Sequence, residues 1–309
     1  MAFRRKLITS VACALVVACF LDNPKEEDAF LRGLTTEEDI NFMLEQASGN
    51  ASMTTAEYND KHKPVMHTFF DPIGDTDFND PMIDAWRDEW TKAGFQTQVL
   101  TLDDAKKHPY FETMKEAVEK VFKTDTYNQL CFYRYLAMAA NGGGWMSDYD
   151  TFPTNFPMNE GNALPNDGKF TSFQAHVPSL ISATADEWAR VASLMVDTIP
   201  RSEQWLKSDM YILYDLKLEG NHEIEFKLPS YNVHAFIGYK ALGVVDCHML
   251  AVGRATHISH YAEAKLKEHK MYPEKAKEFP PKERRAQVSR IFMDDWRAQC
   301  GGSKVGEKE

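Results

Sequence analysis

Two aspartates, Asp148 and Asp150, close the run Asn141-Gly142-Gly143-Gly144-Trp145-Met146-Ser147-Asp148-Tyr149-Asp150. Side chains two apart on a strand share a face, so a strand over 145–149 aims both carboxylates the same way. Two same-side carboxylates make a poor hydrophobic element and a good site for a hard cation, because Mg²⁺ and Mn²⁺ prefer carboxylate oxygens. Such a cation takes one or two carboxylates and completes its shell with substrate phosphates. That resolves a conflict of charge, since an acidic site holds an anionic diphosphate only through a bridging cation. Gly143 and its neighbours end a helix and let backbone approach a ligand closely. Arg134 lies on that helix, and its planar fork suits phosphate oxygens. A second polar cluster, His257-Ile258-Ser259-His260, has no third ligand or HExxH helix that would make it an independent zinc site.

The elements that must position these residues are legible in the apolar pattern. Val65-Met66-His67-Thr68-Phe69-Phe70 reads as a buried strand. Asp80 followed by Pro81 starts a helix in which Met82, Ile83, Trp86 and Trp90 share a face, and Gly94 stops it. Residues 95–100 form a second strand, and the strand–helix–strand order predicts a parallel βαβ unit. Helices follow over 103–107, 111–122 and 125–140. The later half carries a hairpin-like stretch around Asp167 and Gly168, helices over 185–198 and 202–215, a β-rich stretch over 226–245 and a C-terminal helix over 282–299. The tryptophans at helical spacing, Trp86, Trp90 and Trp296, belong to the core, and the charged run 263–282 reads as a solvated face. The expected fold class is α/β in front and α+β behind, in one domain spanning 63–300, with a flexible tail over 301–309.

Composition narrows the function. The 309 residues are 43% hydrophobic and 26% charged, which excludes collagenous, disordered and polytopic membrane classes. The net charge of −11 argues against nucleic acid as a partner, since phosphate backbones are repelled. No nucleophile elbow, Walker A loop or dinucleotide fingerprint is present. Arg4, Arg5 and Lys6 precede an apolar run from Leu7 to Leu21, so residues 1–24 read as a signal peptide or a short signal anchor. Any membrane attachment would come through that segment. Residues 25–62 form a polar stem with two capping-box patterns, Thr35-x-x-Glu38 and Thr54-x-x-Glu57. Entry into the secretory lumen makes Asn50 of the Asn50-Ala51-Ser52 sequon a glycosylation acceptor. Outside the leader, Cys131, Cys247 and Cys300 allow one disulfide at most, and Cys247 with Cys300 is one choice among the three.

The arginine-bearing helix, glycine turn, aromatic and D-x-D run, preceded by the strand with His67 and Phe69, resembles the glycosyltransferase sugar-binding region with the DxD motif, of the GT-A superfamily. It looks like eukaryotic mannosyl- and hexosyltransferases and capsular-polysaccharide transferases. The resemblance covers roughly 63–160 well and continues more weakly to about 260. It implies a GT-A fold, a nucleotide-sugar donor, Mn²⁺ or Mg²⁺ as cofactor, an acceptor hydroxyl on a glycan, glycoprotein or lipid, and retention of anomeric configuration. Position by position, it implies that Asp148 touches the ribose or donor sugar and that Asp150 coordinates the metal. Arg134 would contact the donor, and His67 and Phe69 would line the nucleotide pocket; Trp145 reads first as a buried strand aromatic, with packing under the donor sugar as its other role. His257 or His260 would complete the metal shell, and Asp209 would orient the acceptor or assist charge development. Two departures separate the chain from the family pattern. Cys131 stands where an aspartate often precedes the arginine, and Ser147 adds one residue before Asp148. These departures favour, as the alternative, an inactive sugar- or nucleotide-binding protein of the same fold; a secreted metal-dependent phosphoester hydrolase is the second alternative.

Overall fold

A computed structural model describes residues 63–73, 80–123, 125–156, 164–202, 208–220, 222–226, 232–234, 239–241, 244–251, 253–259 and 277–301. The leader, the polar stem with Asn50, His260 and most of the charged run after it lie outside the described residues. The chain divides at residue 62 into two units, and everything below concerns the unit that begins at Lys63.

The βαβ start forms as the apolar pattern requires. Strand β1 (Val65–Phe69) and β2 (Gln96–Leu100) pair in parallel, with His67 opposite Gln98. Between them runs α1 (Asp80–Lys92), whose Trp86 and Trp90 are fully buried. Next come α2 (Leu102–Ala105), α3 (Phe111–Phe122) and α4 (Thr126–Ala140), the last capped by Asp125, whose carboxylate accepts the Asn128 N–H at 3.1 Å. Strand β3 (Gly143–Ser147) then pairs in parallel with β1 on the side away from β2.

A hairpin of β5 (Thr171–Gln174) and β6 (Val177–Thr184) completes the main sheet, with β6 antiparallel to β3. The order is β2-β1-β3-β6-β5, so parallel strands meet an antiparallel pair at β3. Side chains alternate across this sheet. Met66, Trp145 and Leu180 face a core shared with α1 and with α8 (Pro281–Cys300), while Met146, Ile181 and Ala183 face a core shared with α3, α4, α5 (Ala185–Thr198) and α6 (Asp209–Glu219). The result is a mixed α/β sheet covered by helices on both faces. A second sheet, ordered β4-β10-β7, is built from β4 (Thr151–Pro153), β7 (Asn232–His234) and β10 (Gly253–His257). A two-stranded ribbon, β8 (Tyr239–Ala241) with β9 (Val244–Val245), and α7 (Cys247–Ala251) precede β10.

The disulfide forms between Cys247 and Cys300, tying α7 to the end of α8, and Cys131 is free. Among the described residues no helix is long and apolar enough to cross a membrane.

Three boundaries differ from the sequence expectation. The strand expected over 145–149 begins and ends two residues earlier, because its pairing with β6 runs from Gly143 opposite Thr184 to Ser147 opposite Leu180. The hairpin turns at Ala175 and His176, between β5 and β6; Asp167 and Gly168 instead lie in a short 3-10 turn ahead of it. The helix expected over 202–215 starts at Asp209 behind Ser208, a favourable N-cap, and ends at Gly220 in the left-handed conformation.

Candidate metal centre

Asp148 and Asp150 are not on a strand. They occupy the turn between β3 and β4, closed by the Thr151 N–H donating to the Asp148 carbonyl at 2.9 Å. Carboxylate convergence therefore comes from a tight turn rather than from strand pleating, and the turn is held from four sides. Trp86 Nε1 donates to Ser147 Oγ at 2.8 Å and Trp90 Nε1 to the Thr151 carbonyl at 3.0 Å, so α1 pins both ends. The Asp148 N–H donates to the Ser179 carbonyl at 2.9 Å, and the Asp150 carbonyl accepts the Ile258 N–H at 2.8 Å. Ser147 and Thr151, on either side of the aspartates, are thus the residues that α1 grips. The site lies at the carboxyl end of β3, beyond the parallel strands, where open α/β sheets bind ligands.

Asp148, Asp150 and His257 form a group whose candidate ligand atoms all lie within 4.8 Å of one another. His257 arrives from the end of β10, whose pairing sets it opposite Thr151. Its Nε2 is 3.2 Å from the buried Asp150 Oδ1, an ion pair when the ring is protonated, although the alignment falls short of a well-formed hydrogen bond. The other oxygen, Oδ2, accepts from Arg285 Nη2 on α8. Burial works against a charged Asp150, but His257 and Arg285 outweigh it and pull the carboxyl down to about 2. Burial likewise opposes a charged His257, and the Asp150 and Asp148 carboxylates overcome it, so the imidazole titrates above its ordinary value. Asp148 goes the other way. Its burial outweighs Arg134 and raises the carboxyl, with 28% of the side chain still exposed.

Arg134 is a buried hub. Nη1 donates to Asp148 Oδ1 at 2.6 Å and Nη2 to Asp209 Oδ2, while Nε has no partner among the described residues. Burial disfavours its charge, but Asp209 and Asp148 hold it protonated. Asp209 is 4% exposed and fully engaged, since Oδ2 also receives the Tyr135 hydroxyl at 3.4 Å and Oδ1 accepts the Met210 N–H at 2.8 Å. Asp209, offered for an acceptor or for an ordinary helix position, anchors Arg134 from the start of α6. Cys131 lies one turn before Arg134, and burial together with Asp209 pushes its thiol up, so it stays protonated. Across the site, the carboxylates of Asp148, Asp150 and Asp209 face the guanidiniums of Arg134 and Arg285. The proton on His257, or a cation in its place, decides the remaining charge.

Other expected donor contacts are parts of the core. Trp145 is 1% exposed, stacked on Phe173 with ring centroids 5.4 Å apart and edge-on to Phe156. A sugar cannot reach it. His67 is 5% exposed; Nδ1 donates to the Trp145 carbonyl at 2.9 Å, and burial lowers its pKa, so it is a neutral link between β1 and β3. Phe69 is half-buried and packs on the second core at the end of β1. Gly143 has φ +77°, and a Cβ there would sit 2.4 Å from the Ala185 backbone nitrogen. Close packing of β3 against the β6–α5 junction, rather than a ligand, requires that glycine. His260 lies outside the described residues.

Sequence reasoning missed Arg285, Gln174 and Ser179. Arg285 is one of several basic residues in an ordinary amphipathic helix, and no local pattern marks it. Gln174 Oε1 contacts His257 Nδ1 at 2.9 Å and accepts from Ser179 Oγ.

Residues 59–164 match a family model described as a domain of unknown function, DUF8765. The match takes in β1, α1, α4 and the aspartate turn and ends before Gln174, Asp209, His257 and Arg285. No curated protein and no solved structure matches the chain.

Proposed function

We propose that this chain is a metal-dependent glycosyltransferase of GT-A-like fold, moving a hexose from a nucleotide diphosphate sugar to a hydroxyl of a glycan, glycoprotein or lipid in the secretory lumen. One observation carries the reading: ligand atoms of two carboxylates and an imidazole, on Asp148, Asp150 and His257, converge within 4.8 Å at the end of β3. Asp150 Oδ1 is buried there with only the His257 ring 3.2 Å away, and a cation can take the place of the imidazolium proton between them. Two carboxylates with one imidazole suit Mn²⁺ better than Mg²⁺, which prefers an all-oxygen shell. The Cys247–Cys300 bond supports an oxidising compartment.

In this mechanism Asp148, Asp150 and His257 would hold the cation. When bound it would supply Lewis-acid stabilisation of the diphosphate leaving group. Arg134, kept charged and immobile by Asp209, adds a fixed positive field beside the same oxygens. Arg285 is the counter-ion of Asp150, and its planar guanidinium would suit a phosphate oxygen if that carboxylate were engaged elsewhere. The retaining course remains the expectation from the family resemblance.

The test is nucleotide release by the purified protein across UDP- and GDP-sugars, with Mn²⁺, with EDTA and with Asp150→Asn in parallel. Release that needs Mn²⁺ and vanishes in the variant supports the transferase and names the donor. Cys131 and the Arg285–Asp150 pair favour one second reading, a binder of the same fold without turnover. Metal-dependent donor binding by calorimetry without nucleotide release, even with acceptors added, selects it. Phosphate release from simple esters selects a hydrolase instead.

A further inference from the structure

We propose that Gln174 and Ser179 are positioning residues that lock His257 in the tautomer whose Nε2 lone pair is aimed at the cation; the inference rests on the metal site proposed above.

A neutral imidazole carries one N–H, and its partner decides which nitrogen holds it. Here the partner of Nδ1 is Gln174 Oε1, 2.9 Å away, and an amide oxygen only accepts. In the neutral ring the proton is therefore on Nδ1, and the proton lost to make room for a cation is the one on Nε2. Ser179 steadies the Gln174 side chain beside the ring, its hydroxyl donating to the same Oε1. Rotating the amide would turn its NH₂ toward Nδ1, force the proton onto Nε2 and destroy the ligand.

The other side of the ring faces the carboxylates. Nε2 lies 3.2 Å from Asp150 Oδ1, where the metal-free ring places its second proton and where a cation would replace it. Metal-bound histidines characteristically give their other N–H to an oxygen acceptor such as Gln174 Oε1.

The hairpin is built to deliver this support. Gln174 is the last residue of β5, opposite Val177 in the ladder, and Ser179 follows on β6. The Ser179 carbonyl also takes the Asp148 N–H, so one serine steadies both the aspartate turn and the histidine's partner. Gln174 reaches His257 across 83 residues of chain, from the main sheet to the second sheet.

The experiment is Mn²⁺ titration of the full protein, with pulsed electron paramagnetic resonance to detect directly bound imidazole nitrogen. The proteins are wild type, Gln174→Leu, Gln174→Glu, Ser179→Ala and Asp150→Asn. Gln174→Leu is expected to weaken Mn²⁺ about 10–100-fold and to lose the nitrogen coupling. Gln174→Glu presents only acceptor oxygens to Nδ1 and is expected to keep both. Ser179→Ala, which retains the backbone contact to Asp148, is expected to lose several-fold, and it keeps the test alive if the leucine variant does not fold. Wild-type affinity and coupling in both Gln174→Leu and Ser179→Ala would overturn the positioning role while leaving the metal site standing, as would equal losses in Gln174→Glu and Gln174→Leu. If wild type binds no Mn²⁺, or binds it as well as Asp150→Asn does, the metal site itself is wrong and the inference falls with it.

Discussion

Replacing Asp150 by asparagine separates a metal ligand from an ordinary buried ion pair. In the metal-free protein the carboxyl titrates at about 2 against its usual 3.8, and the side chain is only 12% exposed. That depression corresponds to about 2 kcal/mol of stabilisation of the charged form. The sign is that of a lowered carboxylate, so the contribution is complete above pH 3.8 and is lost only as pH falls through about 2. At pH 7 the variant forfeits it and leaves Arg285 without its carboxylate, for a total loss of about 2–4 kcal/mol. For a domain of this size that lowers Tm by roughly 5–15 °C. Metal adds a second difference. Mn²⁺ at a hundred times its Kd stabilises a native site by about 2.7 kcal/mol, which raises the wild-type Tm by roughly 5–10 °C. The variant lacks the carboxylate charge and replaces one ligand oxygen by an NH₂ that cannot coordinate, and it is expected to shift by less than about 1 °C at the same concentration. Scanning calorimetry of both proteins, with Mn²⁺ and with EDTA, reads all four values. An equal rise in both proteins would place the metal elsewhere. No rise in either would reduce the cluster to a structural ion-pair network.

Three other outcomes follow from the same geometry. Because His257 is raised, its contribution to metal-free stability is complete below its ordinary pKa of 6.5 and fades as pH climbs through the folded value; Mn²⁺ needs the neutral ring, so the metal-induced rise in Tm is expected to grow over that same range, and a pH-independent rise between pH 6 and 8 would contradict this. Arg285→Met removes a competing cation from Asp150 and is expected to tighten Mn²⁺ about tenfold or more by titration while weakening binding of a diphosphate donor; weaker Mn²⁺ binding would show that the guanidinium supports the site instead. Gly143→Ala forces a side chain into φ +77° and onto the Ala185 nitrogen, at an expected cost of about 3 kcal/mol or more in urea unfolding; unchanged stability with lost donor binding would restore the glycine as a ligand contact.

Much of the scaffold can be read from local pattern alone. The Trp86 and Trp90 stripe, Pro81 and Gly94 delimit α1, and the flanking apolar runs make β1 and β2, because helix and strand periods are properties of neighbouring residues. Asp148 and Asp150 are recognisable for the same reason, since a cation site needs carboxylates close together and two residues is close enough on any backbone. The support around them is not local. Nothing in the spacing says that Trp86 and Trp90 grip the aspartate turn by their indole N–H groups, or that the turn sits past the strand end.

Family resemblance carried His67 to a donor contact, the glycine turn suggested Gly143 for close approach to a ligand, and Trp145 read as a buried aromatic with sugar packing as its other role. Tertiary packing makes them a strand link, a steric necessity and core, since a strand residue's face depends on which sheets and helices cover it. Asp209 comes to Arg134 across 75 residues, Gln174 to His257 across 83 and Arg285 to Asp150 across 135. By itself the sequence determined that this chain makes a parallel βαβ start with a pair of carboxylates ready for a cation. Only the folded structure decided which histidine, arginines and amide meet them, because those partners are selected by the crossing of two sheets and the placement of α8, and sequence separation carries no record of either.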